Sequence, residues 1–286
     1  MRRLIFSDLD GTFLDHHTYD EGPAIPILLE VLRLGVPCIW NTSKTFPEVL
    51  EFRQRLAVKL RAAGADSSLA NQTLKTPFIV ENGAAVFLPE ESRLSDPRLP
   101  HQSGFQVKSF APPRTQVLKI LEGFRNTYRY RSFADMTREE LIDCTGLTAA
   151  QAALAAERGF TEPVLWQDAP EALTRFNTEL VQQGLRSVAG GRFLHISGHH
   201  DKGEALRWLT LLFEANYPEQ RFQTIALGDG RNDIPMLEQA DIAVTIPSAS
   251  GTRLNLQTSR HIIRPEHPGP QGWADAMRQI LEIPYE

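Results

Sequence analysis

The stretch SDLDGTFLD, Ser7–Asp15, decides how this chain is read. It follows the apolar run Leu4-Ile5-Phe6. If that run is a strand, side chains alternate between its faces, and Asp8 and Asp10 point to the same side at its C-terminal edge. Two like charges set together raise the electrostatic energy unless a cation, a shared proton or solvent relieves them. A strand running into an acidic turn, with Gly11 and Thr12 as turn residues, is the plainer reading of the same letters.

Working outward, short apolar runs recur: LIFSDL, VPCIWNT, FIVENG and, much later, TIALGD and DIAVTI. They do not alternate strictly, which suits strands covered on both faces. Between them lie segments with helical spacing: AIPILLEVLRLG ending at Gly35, PEVLEFRQRLAVKLRAAG ending at Gly64, and KGEALRWLTLLFEAN. Strand and helix in alternation imply βαβ units and an α/β fold with a doubly wound parallel sheet. Ligands of such sheets sit at the carboxyl ends of the strands, where SDLD, WNTSK and LGDG converge on one rim. DSSLANQTLKT, in the same half, reads as a loose surface segment.

Residues 88–195 have a different rhythm. RTQVLKILEGFRNTY reads as a helix, and Thr137 in TREE and Thr148 in TAAQ start two more through capping boxes. DAPEALTRFNTELVQQG offers Asp168 as N-cap, Pro170 in the first turn and Gly184 as the stop. Two apolar runs around Gly190 and Gly191 form a hairpin. The reading is an α+β unit at 88–195 inserted into an α/β core formed by 1–87 and 196–286.

The 286 residues carry 30 Lys and Arg against 35 Asp and Glu, a formal net charge of −5. That balance gives no footprint for nucleic acid, and an anionic small molecule would need a locally positive pocket. Two cysteines, Cys38 and Cys144, are too few for a disulfide framework or a thiolate metal site, and Cys38 in VPCIW reads as a buried, inert thiol. No apolar run approaches the ~20 residues that cross a bilayer, and acids follow the first residues too soon for a signal peptide. A cytoplasmic protein is expected, with oligomeric state left open.

Three further clusters join the opening pair. NTSKT places Thr42, Ser43 and Thr45 between a strand and a helix, where hydroxyls and backbone N–H groups suit an anion and equally suit a helix cap. Lys202 stands at the start of a helix, where a cation opposes the helix dipole unless something anionic is near; a solvated side chain is the plainer reading. In LGDGRNDIPML, Asp229 ends a strand, Gly230 permits a tight turn, and Asn232 with Asp233 opens a helix. Such a carboxylate-rich loop is a natural place for Mg²⁺.

Together these pieces resemble the haloacid dehalogenase superfamily of phosphohydrolases, with DLDGT as its first motif, Thr42 the second, Lys202 the third and GDGRND the fourth. The resemblance implies a Rossmann-like core with an inserted C2-type cap of the Cof kind, which would supply substrate selectivity. It makes Asp8 a nucleophile and Asp10 the acid/base. Asp8, the backbone carbonyl of Asp10, and Asp229 would hold Mg²⁺. Thr42 and Lys202 would bind the transferring phosphate, with Asn232 and Asp233 positioning Lys202 or metal-bound water.

Within the superfamily the chain is similar to the mannosyl-3-phosphoglycerate phosphatases through SDLDGTFLDHHTY, NTSKT, RGFTEP and GGRFLHISGHHDKGEAL. It departs after HHTY, where that family has a small residue and Trp and this chain has Asp20, Glu21 and Gly22. The implied substrate is a phosphorylated sugar-glycerate. Ser43 and Lys44 would stand beside its phosphate, and Arg158 and Arg192 in the cap would meet its carboxylate through bidentate forks. His195, His199 and His200 read as structural or substrate-facing. A Cof-type phosphosugar phosphatase, a phosphomannomutase and a sugar-phosphate sensor remain the alternatives.

Overall fold

Burial accounts for the first strand. Leu4, Ile5 and Phe6 have no exposed surface in β1 (Arg2–Ser7), as befits a strand covered on both faces. The computed structural model describes residues 1–190, 192–257 and 260–283. After β1 come α1 (Ala24–Arg33), β2 (Cys38–Trp40), α2 (Phe46–Ala62), α3 (Ser67–Lys75), β3 (Phe78–Val80), β4 (Ala85–Pro89), β5 (His101–Gln102) and β6 (Phe105–Ser109). The middle of the chain forms α4 (Arg114–Phe124), β7 (Tyr130–Ser132), α5 (Arg138–Thr145), α6 (Ala149–Ala156), β8 (Glu162–Trp166), α7 (Pro170–Gln182), β9 (Leu185–Gly190) and β10 (Phe193–Gly198). It closes with α8 (Lys202–Asn216), β11 (Phe222–Gly228), α9 (Ile234–Gln239), β12 (Ile242–Thr245), β13 (His261–Ile263) and α10 (Gly269–Leu281).

Two compact units result: Met1–Ser43, Glu51–Lys108 and Asp201–Glu286 form the first, and Lys44–Leu50 with Ser109–His200 the second. In the first, a parallel sheet runs in the order β13-β12-β11-β1-β2. The chain leaves β1 toward β2 on one side, and β11 pairs on the other, so the strand order reverses at β1. Phe13, just past DLDGT, is fully buried against Trp40 and Trp273, with ring centroids at 4.7 and 5.1 Å. Burial of such a ring stabilises by about 1.5–3 kcal/mol and anchors the turn that follows β1.

FIV takes a different place from the one its apolar run implies. β3 pairs antiparallel with β4 in a second sheet ordered β3-β4-β6-β5, and an isolated bridge joins Ile79 to Asn41, the residue after β2. Through that sheet residues 88–108, assigned to the insertion on sequence, lie in the first unit, while residues 196–200 lie in the second. DSSLANQTLKT is helical in α3: Asp66 caps it by accepting from Leu69 N at 2.8 Å, and Ala70 and Thr73 are buried. Its polar letters hid a short amphipathic helix. Buried Arg53 serves its C-terminal end, donating to the carbonyls of Thr73 and Thr76 at 2.9 and 2.8 Å.

The second unit is an antiparallel sheet, β7-β8-β10-β9, with α4 and α7 packed on one face around Phe176, Leu121, Val164 and Ile196. The boxes Thr137/Glu140 and Thr148/Gln151 do cap α5 and α6. At α7 the N-cap is Ala169 rather than Asp168, whose carboxylate instead accepts from the N–H groups of Ala169 and Arg129. Gly184 stops that helix in the left-handed region, φ +74°. The hairpin of β9 and β10 forms as read, Gly190 opposite Phe193, and Gly191 lies outside the described residues. Glu162, fully buried, ties this unit together by accepting from Arg114 Nε at 2.6 Å and from Ala134 N at 2.8 Å.

Removing the Glu162 charge with Glu162→Gln leaves the Arg114 guanidinium without its carboxylate and is expected to cost about 3 kcal/mol. Amide hydrogen exchange is the check: exchange should quicken in β7, β8 and β10 and stay unchanged in β1 and β11.

Candidate active site

Three strand ends of the parallel sheet carry the polar loops: Asp8 follows β1, Asn41 and Thr42 follow β2, and Asp229 follows β11. Lys202, the first residue of α8, has no exposed surface. Its Nζ donates to Asp8 Oδ1 at 2.7 Å and to Asp233 Oδ1 at 2.6 Å. The helix start that faces solvent on the plainer sequence reading therefore holds a buried cation between two buried carboxylates. Asp201 caps the helix through Glu204 N at 2.8 Å, and Asn41 Nδ2 donates to the Lys202 carbonyl at 3.0 Å.

Asp233 has both oxygens taken. Oδ1 meets Lys202, and Oδ2 accepts from the N–H groups of Gly230 and Asp229 at 2.9 and 3.1 Å. It closes the GDGRND loop on itself and orients the lysine. Asp229 Oδ1 accepts from Thr12 Oγ1 at 3.1 Å, which joins the DLDGT turn to the loop after β11. Gly11 stands at φ +79°, and a Cβ there would lie 2.4 Å from Asp229 Oδ2, so both the backbone and the close approach require glycine. Behind Asp8, Trp273 Nε1 donates to Ser7 Oγ at 3.1 Å and Ser7 Oγ donates to the Asp8 carbonyl at 2.7 Å.

Electrostatics follow from this crowding. Burial and then the Asp233 charge push the Asp8 carboxyl up to about 7, against the pull of Lys202. Burial and the Asp8 charge push Asp229 up to about 6. Burial raises Asp233 as well. Burial works against the Lys202 charge, but Asp233 and Asp8 outweigh it and the ammonium is held above its ordinary range. Oxygens of Asp8, Asp229 and Asp233 lie within 4.8 Å of one another. One cation serves more than two carboxylates, and the surplus negative charge at Asp8 and Asp229 fits an oxygen-seeking divalent metal such as Mg²⁺.

Of the residues singled out on sequence, Asp8, Lys202, Asp229 and Asp233 form one cluster, and Asn232 lies in its loop. Thr42 is fully buried beside it, its N–H on the Ile79 carbonyl at 3.1 Å. Asp10 stands in the turn after β1, bridged to Leu14. Ser43 ends the first segment of that unit, whereas Lys44, Arg158 and Arg192 belong to the second. Thr45 is the residue that caps α2, in a reciprocal pair with Glu48: its N–H donates to Glu48 Oε2 at 2.8 Å and its Oγ1 accepts from Glu48 N at 3.4 Å. Arg158 Nε donates to Thr161 Oγ1 at 2.6 Å, and exposed Arg192 donates to the Cys144 carbonyl at 3.1 Å. His195 is held neutral in the same unit, burial and then Arg158 pushing it down to about 4. Glu21, in the stretch that departs from the resembled family, is fully buried and paired with Lys59 of α2, which also pairs with exposed Asp20 at 3.1 Å. Sequence reasoning gave Thr12 only a turn and passed over Asn41.

The model of the haloacid dehalogenase-like hydrolases matches residues 5–263. The chain belongs to that family. Two relatives match this hydrolase along nearly their whole length: the glucosyl-3-phosphoglycerate/mannosyl-3-phosphoglycerate phosphatases of Persephonella marina, 34% identical with 97% of each chain covered, and of Methanococcoides burtonii, 31% identical with 98% of each covered. Family and relatives together support a phosphoric monoester hydrolase. The hydrolase shares its fold with a Thermoplasma acidophilum protein, TM-score 0.63 at 17% identity over 98% of this chain and 99% of that one. A phosphatase of the same superfamily from Bacteroides thetaiotaomicron gives TM-score 0.60 at 18% identity over 99% of this chain and 96% of that one. Among the described residues no helix is long and apolar enough to cross a membrane.

With no metal bound, the folded chain holds the Asp8 and Asp229 protons more tightly than the unfolded chain. The stability these protons carry is complete below the ordinary aspartate value of 3.8 and is lost as pH rises through about 6 for Asp229 and about 7 for Asp8. The melting temperature of chelator-treated protein is therefore expected to fall between pH 5 and pH 8, and Asp8→Asn should flatten that fall. A melting temperature that climbs over this interval in the wild type alone would contradict the assignment.

Proposed function

We propose that this hydrolase is a Mg²⁺-dependent phosphatase that releases phosphate from glucosyl- or mannosyl-3-phosphoglycerate, leaving the glycosyl-glycerate. The chemistry rests on the buried Lys202 held between Asp8 and Asp233, with Asp229 beside them. The substrate rests on the near full-length likeness to the two named relatives.

In this reading Asp8 is the nucleophile. One carboxylate oxygen attacks phosphorus, the bond to the ester oxygen breaks, and Asp10 gives its proton to the leaving alkoxide. Asp10, now ionised, takes a proton from water, whose oxygen attacks the same phosphorus and breaks its bond to Asp8. Lys202 opposes the burial that favours a protonated Asp8 and faces the phosphoryl oxygens. Thr42 donates its hydroxyl to them. Asp233 and Asn232 hold Lys202 and the loop in place. Asp8, the Asp10 carbonyl and Asp229 would hold Mg²⁺, which would neutralise charge on the transferring group. Selectivity for the glycerate carboxylate is assigned to Arg158 and Arg192, and Ser43 and Lys44 are assigned to the phosphate loop.

Phosphate release from a panel of phosphorylated metabolites with Mg²⁺, including both glycosyl-3-phosphoglycerates, tests the reading. Turnover should be fastest on one of those two and absent in Asp8→Asn. Isomerised sugar phosphate without free phosphate would place the protein among mutases instead.

Replacing Arg158 or Arg192 with Ala should lower kcat/KM on the glycosyl-3-phosphoglycerate by about one to two decades and spare a small phosphate ester. Equal losses on both substrates would remove that arginine from carboxylate recognition.

A further inference from the structure

The turn between β3 and β4 carries chemistry that its sequence, ENGA, does not announce. Glu81, Asn82 and Gly83 stand in succession in the left-handed region, at φ +48°, +61° and +93°. Such a run persists only where the surroundings over-determine it. Gly83 is obligatory: a Cβ would lie 2.2 Å from the Asp201 carbonyl oxygen and 2.8 Å from Lys202 N, at the very start of α8. Asn82 makes two long-range contacts. Its backbone N–H donates to the Thr42 carbonyl at 2.9 Å, and its side-chain Oδ1 accepts from Asn232 Nδ2 at 3.0 Å. One short turn thus touches the loop after β2, the loop after β11 and the start of the helix that bears Lys202. None of these contacts is needed to close the hairpin, which Gly83 N and Ala84 N do by donating to the Val80 carbonyl.

We propose that Asn82 is a positioning residue for phosphoryl transfer, locking Asn232 and the loop that carries Asp229 and Asp233 in register with Thr42. Asn82 touches neither substrate nor metal in this account. It acts through Asn232, so its effect falls on the rate of the chemical step rather than on substrate binding. The proposal rests on the phosphatase reading above.

Asn82→Gly isolates the contact, because glycine keeps the left-handed backbone and the N–H to Thr42 and deletes only the side-chain amide that accepts from Asn232. With Mg²⁺ and p-nitrophenyl phosphate, kcat is expected to fall about three- to tenfold with KM within about twofold, the loss of one hydrogen bond between neutral groups. The Asn82→Gly/Asn232→Ala double variant should be no slower than Asn232→Ala alone. An unchanged kcat, a loss confined to KM, or losses that multiply in the double variant would overturn the proposal. In ¹⁵N-labelled protein the Asn232 side-chain amide resonance should also shift in Asn82→Gly. An unmoved resonance overturns the contact whatever the substrate. A wild type that hydrolyses no phosphate ester overturns the phosphatase reading and leaves the resonance to decide the contact.

Discussion

A buried lysine between two buried aspartates is the constraint on which the first unit is organised. Removing an ammonium and two carboxylates from water is costly, and their mutual attraction offsets that cost only when the geometry is good and the remaining lone pairs are satisfied. Here Asp233 meets both conditions, with Lys202 on one oxygen and two backbone N–H groups on the other. Asp8 accepts on Oδ1 from the same lysine at 2.7 Å, its one side-chain hydrogen bond among the described residues. The imbalance is chemical: Asp233 is held on both oxygens, while Asp8, the nucleophile of the proposed reading, rests on the lysine with its carboxyl pushed up to about 7.

The fold supplies that geometry by placing strand ends side by side. Because β1 lies between β2 and β11, the residues that follow all three emerge at one edge of the sheet. The first residue of α8 then needs only Asp201 as a cap and Asn41 on its carbonyl to project Lys202 into the same place. Phe13 roots the DLDGT turn among Trp40 and Trp273, and Gly11 lets its backbone lie against the Asp229 carboxylate. Rigid packing below and a surplus of negative charge above are two parts of one arrangement, since only a well-anchored backbone holds like charges at such distances.

Much of this was legible in the sequence where chemistry and backbone geometry demand particular letters. The paired aspartates behind an apolar run, Lys202 at a helix start and the GDGRND loop were readable because few other arrangements use those residues in that order. The capping boxes of α5 and α6 were readable because each cap is local. Legibility failed where tertiary contacts decide. FIV has the composition of a central strand, yet it pairs with β4. The polar letters of α3 conceal a helix held by Asp66 and Arg53. Asp168 looks like an N-cap, but the helix starts one residue later. Thr12, Asn41 and Asn82 act through partners 217, 161 and 150 residues away, which no local pattern reports.

The central claim is that Asp8, oriented by Lys202, takes the phosphoryl group. Borohydride reduction of enzyme quenched with acid during turnover, followed by peptide mass spectrometry, tests it most directly, since reduction of an aspartyl phosphate converts that residue to homoserine. The account predicts homoserine at position 8 in the wild type and at no other acidic residue. Steady turnover with Asp8 unmodified throughout, or with the label on another carboxylate, would contradict it.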